Sequence, residues 1–214
     1  MALNDVWRSI AVGYFYEANF DKVPAVPGVY AWFYPLRVLS RKKEDLVRTV
    51  TEVQKLLCYD AGLQGKPRGA SSVQLSWSSW ELSAQLEPQL FELTKTFSSK
   101  WNLIAESEVL FSEFQKSLLK ASILMPPLYV GKANNLNIRC NQHQNGSGNN
   151  DFHDRFQNFA EQNSLSIRSV KKLIFGCVQT DTSILESENE ISSPVHELVE
   201  AIMKNVCSPP YGVR

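Results

Sequence analysis

The chain has 214 residues, 22 Lys and Arg against 22 Asp and Glu, and an apolar fraction of 43%. That length suits one generous domain, or a small domain carrying a sizeable insertion, and the composition is unlike that of disordered, collagenous or membrane chains. Zero net charge argues against a protein that coats nucleic acid without discrimination, and no apolar run approaches the roughly 20 residues that cross a bilayer.

The opening stretch through Asn19 carries the aromatic run Tyr14, Phe15, Tyr16 and is compatible with a helix or a mixed element. Its start lacks a basic segment followed by an uninterrupted apolar one, so no secretory signal is expected, and the expected location is cytoplasmic. Two prolines and Gly28 then lead into Val29, Tyr30, Ala31, Trp32, Phe33 and Tyr34, a β-branched and aromatic run of strand length closed by Pro35. From Arg41 to Cys58, Leu46, Val50, Val53 and Leu57 recur at helical spacing, which predicts an amphipathic helix. Ala61 to Ser72 has the Gly, Pro and Ser content of a loop.

Ser78 with Glu81 resembles a capping box, and Leu86, Leu90, Leu93 and Phe97 continue a helical stripe in which Pro88 is tolerable only near a helix start. Trp77 and Trp80 are expected in a core. Leu103, Leu110, Phe114 and Leu118 predict a further helix, so residues 36–122 read as mostly helical. After Pro127 come a short strand, Leu128 to Val130, and a helix from about Asn134, whose side chain is a suitable cap. Phe152, Phe156 and Phe159 form one helical stripe, and Leu173, Phe175 and Cys177 alternate along a buried strand. Pro194 suits the first turn of a last helix carrying Leu198, Ile202 and Val206, which ends before Pro209 and Pro210.

Charge is distributed unevenly. Residues 37–68 hold eight basic side chains against four acidic ones, whereas residues 181–200 hold six carboxylates and neither Lys nor Arg. Such a chain can offer a basic face to phosphate and keep carboxylates for a cation. The four cysteines, Cys58, Cys140, Cys177 and Cys207, form no Cys-x-x-Cys pair, so reduced thiols are expected, and neither a zinc ribbon nor a thioredoxin-like motif.

Tyr129, Val130 and Gly131 run directly into Lys132, Arg139 and His143, and the spacing of four puts the last two on one helix face. Gly28-Val29-Tyr30, Tyr129-Val130-Gly131, the continuation through Arg139 and His143, and Glu200 upstream of Pro209 follow one another in the order of the GIY-YIG nuclease superfamily, which the chain resembles over roughly residues 24–35 and 126–214. It departs from the family in the long stretch between the two triplets and in Gly212, which stands where the family commonly has asparagine. An insertion at a loop is tolerable because closure entropy rises only logarithmically with length.

The resemblance implies an α+β fold: a small mixed or antiparallel three-stranded sheet flanked by helices, with a mostly helical insertion. Residues 1–35 would supply the first core strand, 36–122 the insertion, assigned to DNA recognition and dimerisation, and 123–214 the rest of the nuclease core. It also implies roles. Glu200, or Glu197 one turn earlier, would hold a hard divalent cation, Mg²⁺ or Mn²⁺. Arg139 would bind the non-bridging phosphate oxygens through its planar fork. A tyrosine, Tyr30 before Tyr129, would take the proton of the attacking water, helped by Lys132 or the metal because its ordinary pKa is ~10. Tyr129 and His143 would orient water or phosphate, with His143 an alternative base. His153 and His196 are expected to be structural or exposed.

The implied function is a metal-dependent endonuclease acting on double-stranded DNA, site-specific and of restriction or phage-defence type, working as a homodimer on a palindrome. A homing or structure-specific repair nuclease and a catalytically weakened DNA-binding protein are the alternatives. Arg41, Lys42, Lys43, Lys66 and Arg68 are the candidates for DNA contact.

Overall fold

The computed structural model describes residues 12–58, 72–77, 80–85, 95–148, 151–180 and 194–207. The chain forms two compact units, Met1–Pro35 with Ile123–Arg214, and Leu36–Ser122. Lys66, Arg68, Pro209 and Gly212 lie outside the described residues, as do Leu86, Leu90 and Leu93.

The first unit is built on a four-stranded antiparallel sheet of order β1-β6-β2-β5, with β1 Val12–Tyr16, β2 Gly28–Phe33, β5 Tyr129–Ala133 and β6 Ile174–Gln179. The sheet therefore has one strand more than the expected three. The extra strand is β1, whose aromatic run left its conformation open in the sequence; it pairs with β6 from Val12↔Val178 to Tyr16↔Ile174. The two glycine-tyrosine triplets lie side by side: Tyr30 is opposite Gly131 and Trp32 opposite Tyr129, although 98 residues separate Tyr30 from Tyr129 in the chain.

Strand alternation sends Gly28, Tyr30 and Trp32 to one face, joined there by Cys177 and Phe175 of β6. Helices α4 (Leu136–Asn145) and α5 (Asp151–Gln162) cover that face and contribute Leu136, Cys140, His143, Phe152 and Phe156 to its buried interior. The predicted strand alternation at 173–177 is only half the story, because Ile174 and Gly176 are buried as well as Leu173, Phe175 and Cys177. β6 is an inner strand with both faces covered here, and Gly176 makes room for the rings of Tyr14 and Phe33. Helix α4 starts one residue later than predicted: Asn135, not Asn134, caps it by accepting from the Ile138 N–H at 3.0 Å.

Helix α6 (Pro194–Cys207) packs along β5 and β2. It leaves Leu198, Val199, Ile202 and Met203 exposed. No helix among the described residues is long and apolar enough to cross a membrane.

The second unit contains α1 (Lys43–Cys58), a hairpin of β3 (Ser72–Trp77) and β4 (Trp80–Gln85), α2 (Lys95–Glu106) and α3 (Glu108–Ala121). The hairpin corrects the expectation of a capped helix around Ser78 and Glu81. Val73, Leu75, Trp77 and Trp80, Leu82, Ala84 repeat with period two, and this local pattern prevails; the strands pair from Ser72↔Gln85 to Trp77↔Trp80. Val38, Leu46, Trp101 and Phe111 form the core of the unit, with Val50, Ile104, Phe114 and Leu118 against it. Ser107 divides α2 from α3 by capping the Leu110 N–H, and Leu103 and Leu110 are consequently exposed. The unit closes on itself: the N–H of its first residue, Leu36, donates to the Oγ of its last, the buried Ser122, at 2.8 Å. Arg41, Lys42 and Lys43 are exposed at the start of α1, and the Arg41 guanidinium stands over the Phe111 ring at 5.5 Å.

Candidate active site

Helix α4 faces the sheet with Leu136, Arg139, Cys140 and His143, positions i, i+3, i+4 and i+7. Three of these four positions carry ionisable groups, the Arg139 guanidinium, the Cys140 thiol and the His143 imidazole. His143 is completely buried, and its Nε2 lies 2.7 Å from the hydroxyl of Tyr30, itself 2% exposed. Arg139 Nε donates to the same hydroxyl oxygen at 3.2 Å. Because a guanidinium can only donate, the phenol oxygen is the acceptor there, and the hydroxyl shares a second hydrogen bond with His143 Nε2.

Aromatic rings enclose this pair. Tyr129 and Tyr30 lie 5.4 Å from the imidazole by ring centroid, Phe152 5.5 Å and Trp32 6.0 Å. The π-faces of such rings attract a cation and their edges repel it. Tyr129 stacks on Tyr30 at 6.0 Å, is only partly buried, and its hydroxyl interacts with both Arg139 and Tyr30.

Burial pushes the Tyr30 pKa well above the usual tyrosine value, reinforced by Tyr129 and opposed by Arg139. The phenol is therefore protonated at neutral pH and gives up its proton only if a neighbour takes it. Burial also works to lower the pKa of Arg139, but the oxygens of Tyr30 and Tyr129 outweigh it and the guanidinium stays charged. Cys140 and Cys177, under the same layer, are pushed up by burial to about 12 and about 11, so both remain thiols and neither is a thiolate ligand or nucleophile at neutral pH.

The two glycines of the triplets have steric reasons to be there. A Cβ on Gly131 would lie 2.5 Å from the Tyr30 hydroxyl and 2.9 Å from Tyr129 Cε1. One on Gly28 would meet the Val178 carbonyl oxygen and Leu136. The first obstructs movable side chains of the site, the second backbone. Gly131→Ala is accordingly expected to displace Tyr30 and cost about 1–3 kcal/mol, or roughly 2–4 °C in Tm per kcal/mol, with a much larger loss of activity. Thermal melts beside activity assays of both glycine variants check this, with Gly28→Ala losing chiefly stability.

The remaining expected site residues are not part of this cluster. Lys132 stands opposite Val29, and alternation turns it to the other face of the sheet from Tyr30; its Nζ donates to Glu197 at 2.7 Å. Glu200 forms an ion pair with Lys204 at 2.9 Å. Among the described residues no three His, Cys, Asp or Glu side chains form a cation cage. A magnesium-type ion needs none, since one or two carboxylates plus waters and phosphate oxygens complete its octahedron. Glu200 fits that donor chemistry, with Lys204 as the cation it already holds. His153 is partly buried and pairs with Asp154 at 3.0 Å, away from the tyrosines' hydrogen bonds; the His196 side chain lies outside the described residues.

Gln142 escaped the sequence reading. Its Oε1 accepts from Arg139 Nη1 at 3.1 Å, and its spacing of three from Arg139 was the available signal.

Compared with known proteins, the chain matches no family model, no curated protein and no solved structure. Its functional reading rests on the residues and their arrangement.

Proposed function

We propose that the protein is a metal-dependent endonuclease of the GIY-YIG type that hydrolyses phosphodiester bonds in double-stranded DNA. The observation that carries this reading is the Tyr30 hydroxyl held between Arg139 Nε and His143 Nε2, from one strand and one helix that the fold brings together over more than a hundred residues. A satisfied core would be simpler with apolar residues in all three places, because burying a histidine and an arginine stem beside a phenol costs desolvation.

Phosphodiester hydrolysis needs a deprotonated water, donors for the charge that grows on the phosphoryl oxygens, and stabilisation of the leaving alkoxide. Arg139, half-buried and charged, meets the second need and marks where the phosphate docks. Tyr129, the more exposed phenol, receives the water's proton. The charge is passed inward: Tyr129 gives its proton to Tyr30 as Tyr30 gives its own to His143 Nε2, inside the aromatic box. Glu200 would hold the divalent ion, which supplies Lewis-acid stabilisation of the oxygens when bound. In this scheme His143 never touches DNA. It is the proton store behind the tyrosines, unlike the expectation that His143 orients water or phosphate.

Incubation of the purified protein with unmethylated phage DNA, in Mg²⁺ and in EDTA, tests the reading. Discrete metal-dependent fragments are expected, with Arg139→Ala slower by about 10²–10³-fold, the usual cost of one oxyanion donor. Absence of cleavage on phage DNA, nicked plasmid and branched duplexes alike would overturn it.

A further inference from the structure

The outward surface of α4 differs from that of an ordinary solvated helix. Asn137 and Asn141 lie within it although asparagine is a poor helix former, and the helix contains no Asp, Glu or Lys. From Ile123 to Asn150 the chain has no Asp or Glu, with Lys132 and Arg139 as its basic residues, whereas the whole chain carries 22 acidic ones. A polyanion approaching Arg139 along this helix therefore meets no carboxylate of this segment, and the surface offers neutral hydrogen-bonding groups instead.

Asn141 is exposed, yet its amide is oriented. The carbonyl of Val23, a buried residue ahead of β2, accepts from Asn137 Nδ2 at 3.0 Å. A carbonyl only accepts, so this bond fixes which end of the Asn137 amide is nitrogen and leaves its Oδ1 as an acceptor. Asn141 Nδ2 donates to that Oδ1 at 3.1 Å. The root of this relay is held by backbone, since the N–H groups of Leu136 and Asn137 donate to the carbonyls of Val26 and Pro24 at 3.0 and 3.2 Å. Among the described residues Asn141 makes no other hydrogen bond, so its second N–H and its carbonyl oxygen remain for a ligand. Three residues earlier on the same exposed side, Ile138 is 55% exposed.

Resting on the nuclease reading, we infer that Asn141 and Ile138 determine sequence specificity: from the major groove, Asn141 reads an adenine and Ile138 the methyl group of a neighbouring thymine, close to the phosphate that Arg139 binds. In that groove adenine presents its N7 acceptor beside its N6 donor, and a carboxamide with one available N–H and an available oxygen is their complement. An α-helix about 10–12 Å across fits the groove, which is about 12 Å wide. Arg139 and Asn141 are two residues apart, which places the adenine within roughly four base pairs of the scissile phosphate at ~3.4 Å each. A merely solvated asparagine would leave binding indifferent to the identity of any one base.

The test uses the full chain, Ca²⁺ in place of Mg²⁺, and a pool of duplexes with a randomised interior from which bound molecules are recovered and sequenced. Wild type should enrich an adenine–thymine pair at one position, and Asn141→Ala should lose the preference there while keeping the others. On the enriched duplex, 7-deazaadenine, which lacks N7, should weaken wild type by about five- to tenfold and Asn141→Ala by less than twofold. Uracil in place of the neighbouring thymine should cost wild type about fourfold, the scale of one buried methyl group, and leave Ile138→Ala unchanged. Thermal melts confirm that both variants, altered at exposed positions, remain folded. Binding without sequence preference, an unchanged preference in Asn141→Ala, or equal losses in wild type and variant for either modified base would overturn the inference, as would no duplex binding by wild type. Cleavage in Mg²⁺ decides the nuclease reading separately: a protein that binds but does not cut still decides the role of Asn141, and one that cuts with its preference unchanged in Asn141→Ala refutes this inference alone.

Discussion

Tyr30→Phe is expected to slow DNA cleavage by about 10²–10⁴-fold, the range for a positioned proton-transfer group, while the protein still folds. The phenyl ring keeps its packing on Phe175 at 5.3 Å and on Tyr129 at 6.0 Å, so the change creates little cavity. What is lost is the oxygen that joins Arg139 to His143. A buried Nε2 and a half-buried Nε–H then lack this partner, at a cost of about 1–3 kcal/mol. His143→Gln separates the two functions of the site, since an amide can still hydrogen-bond the phenol but takes up no proton at neutral pH. Single-turnover cleavage and a circular-dichroism melt, run on wild type and both variants, give the answer. If Tyr30→Phe cuts within about threefold of wild type, the inward proton route fails; the comparison figure is the minimum of about 10² for such a group.

The site was partly legible because its residues are closely spaced around two strands. Arg139 and His143 at a spacing of four do meet one object, but that object is Tyr30, and the complete burial of His143 was not readable from a helix whose buried face mixes Leu136 and Cys140 with polar groups. Burial depends on α5, which brings Phe152 against the imidazole, and a single helix carries no sign of what covers it. Lys132 shows the converse. Its sequence position beside Gly131 suggested help for a tyrosine, yet period-two alternation turns neighbours in a strand to opposite faces, and it pairs with Glu197 instead.

The larger errors in the fold have local causes. At residues 72–85 a period-two pattern competed with the capping-box spacing of Ser78 and Glu81, and short apolar runs are ambiguous between strand and helix. In α2 and α3 the spacing from Leu103 to Leu110 ran straight through Ser107, whose capping bond starts a new helix and resets which face is inward. By contrast β2 was clear, since its β-branched and aromatic residues fill an inner strand with Trp32 wholly buried.

The carboxylate assignment gives the second large effect. Glu200→Gln is expected to remove metal-dependent cleavage almost entirely, because a neutral amide is a poor ligand for a hard dication and no carboxylate cage stands behind it among the described residues. Lys204 sharpens the test. Its ammonium holds Glu200 at 2.9 Å, with both side chains mostly shielded from solvent, so a cation binding there has to displace a competing positive charge. Lys204→Met should therefore tighten Mn²⁺ binding by about five- to tenfold, on the scale of one partly shielded ion pair, as read by electron paramagnetic resonance in the absence of DNA. Glu197 supplies the control: its partner is Lys132, so if Glu197→Gln abolishes Mn²⁺ binding while Glu200→Gln and Lys204→Met leave it unchanged, the cation belongs one turn nearer the start of α6. That outcome would put the metal beside the second glycine-tyrosine strand through Lys132, and the roles of the two glutamates would exchange.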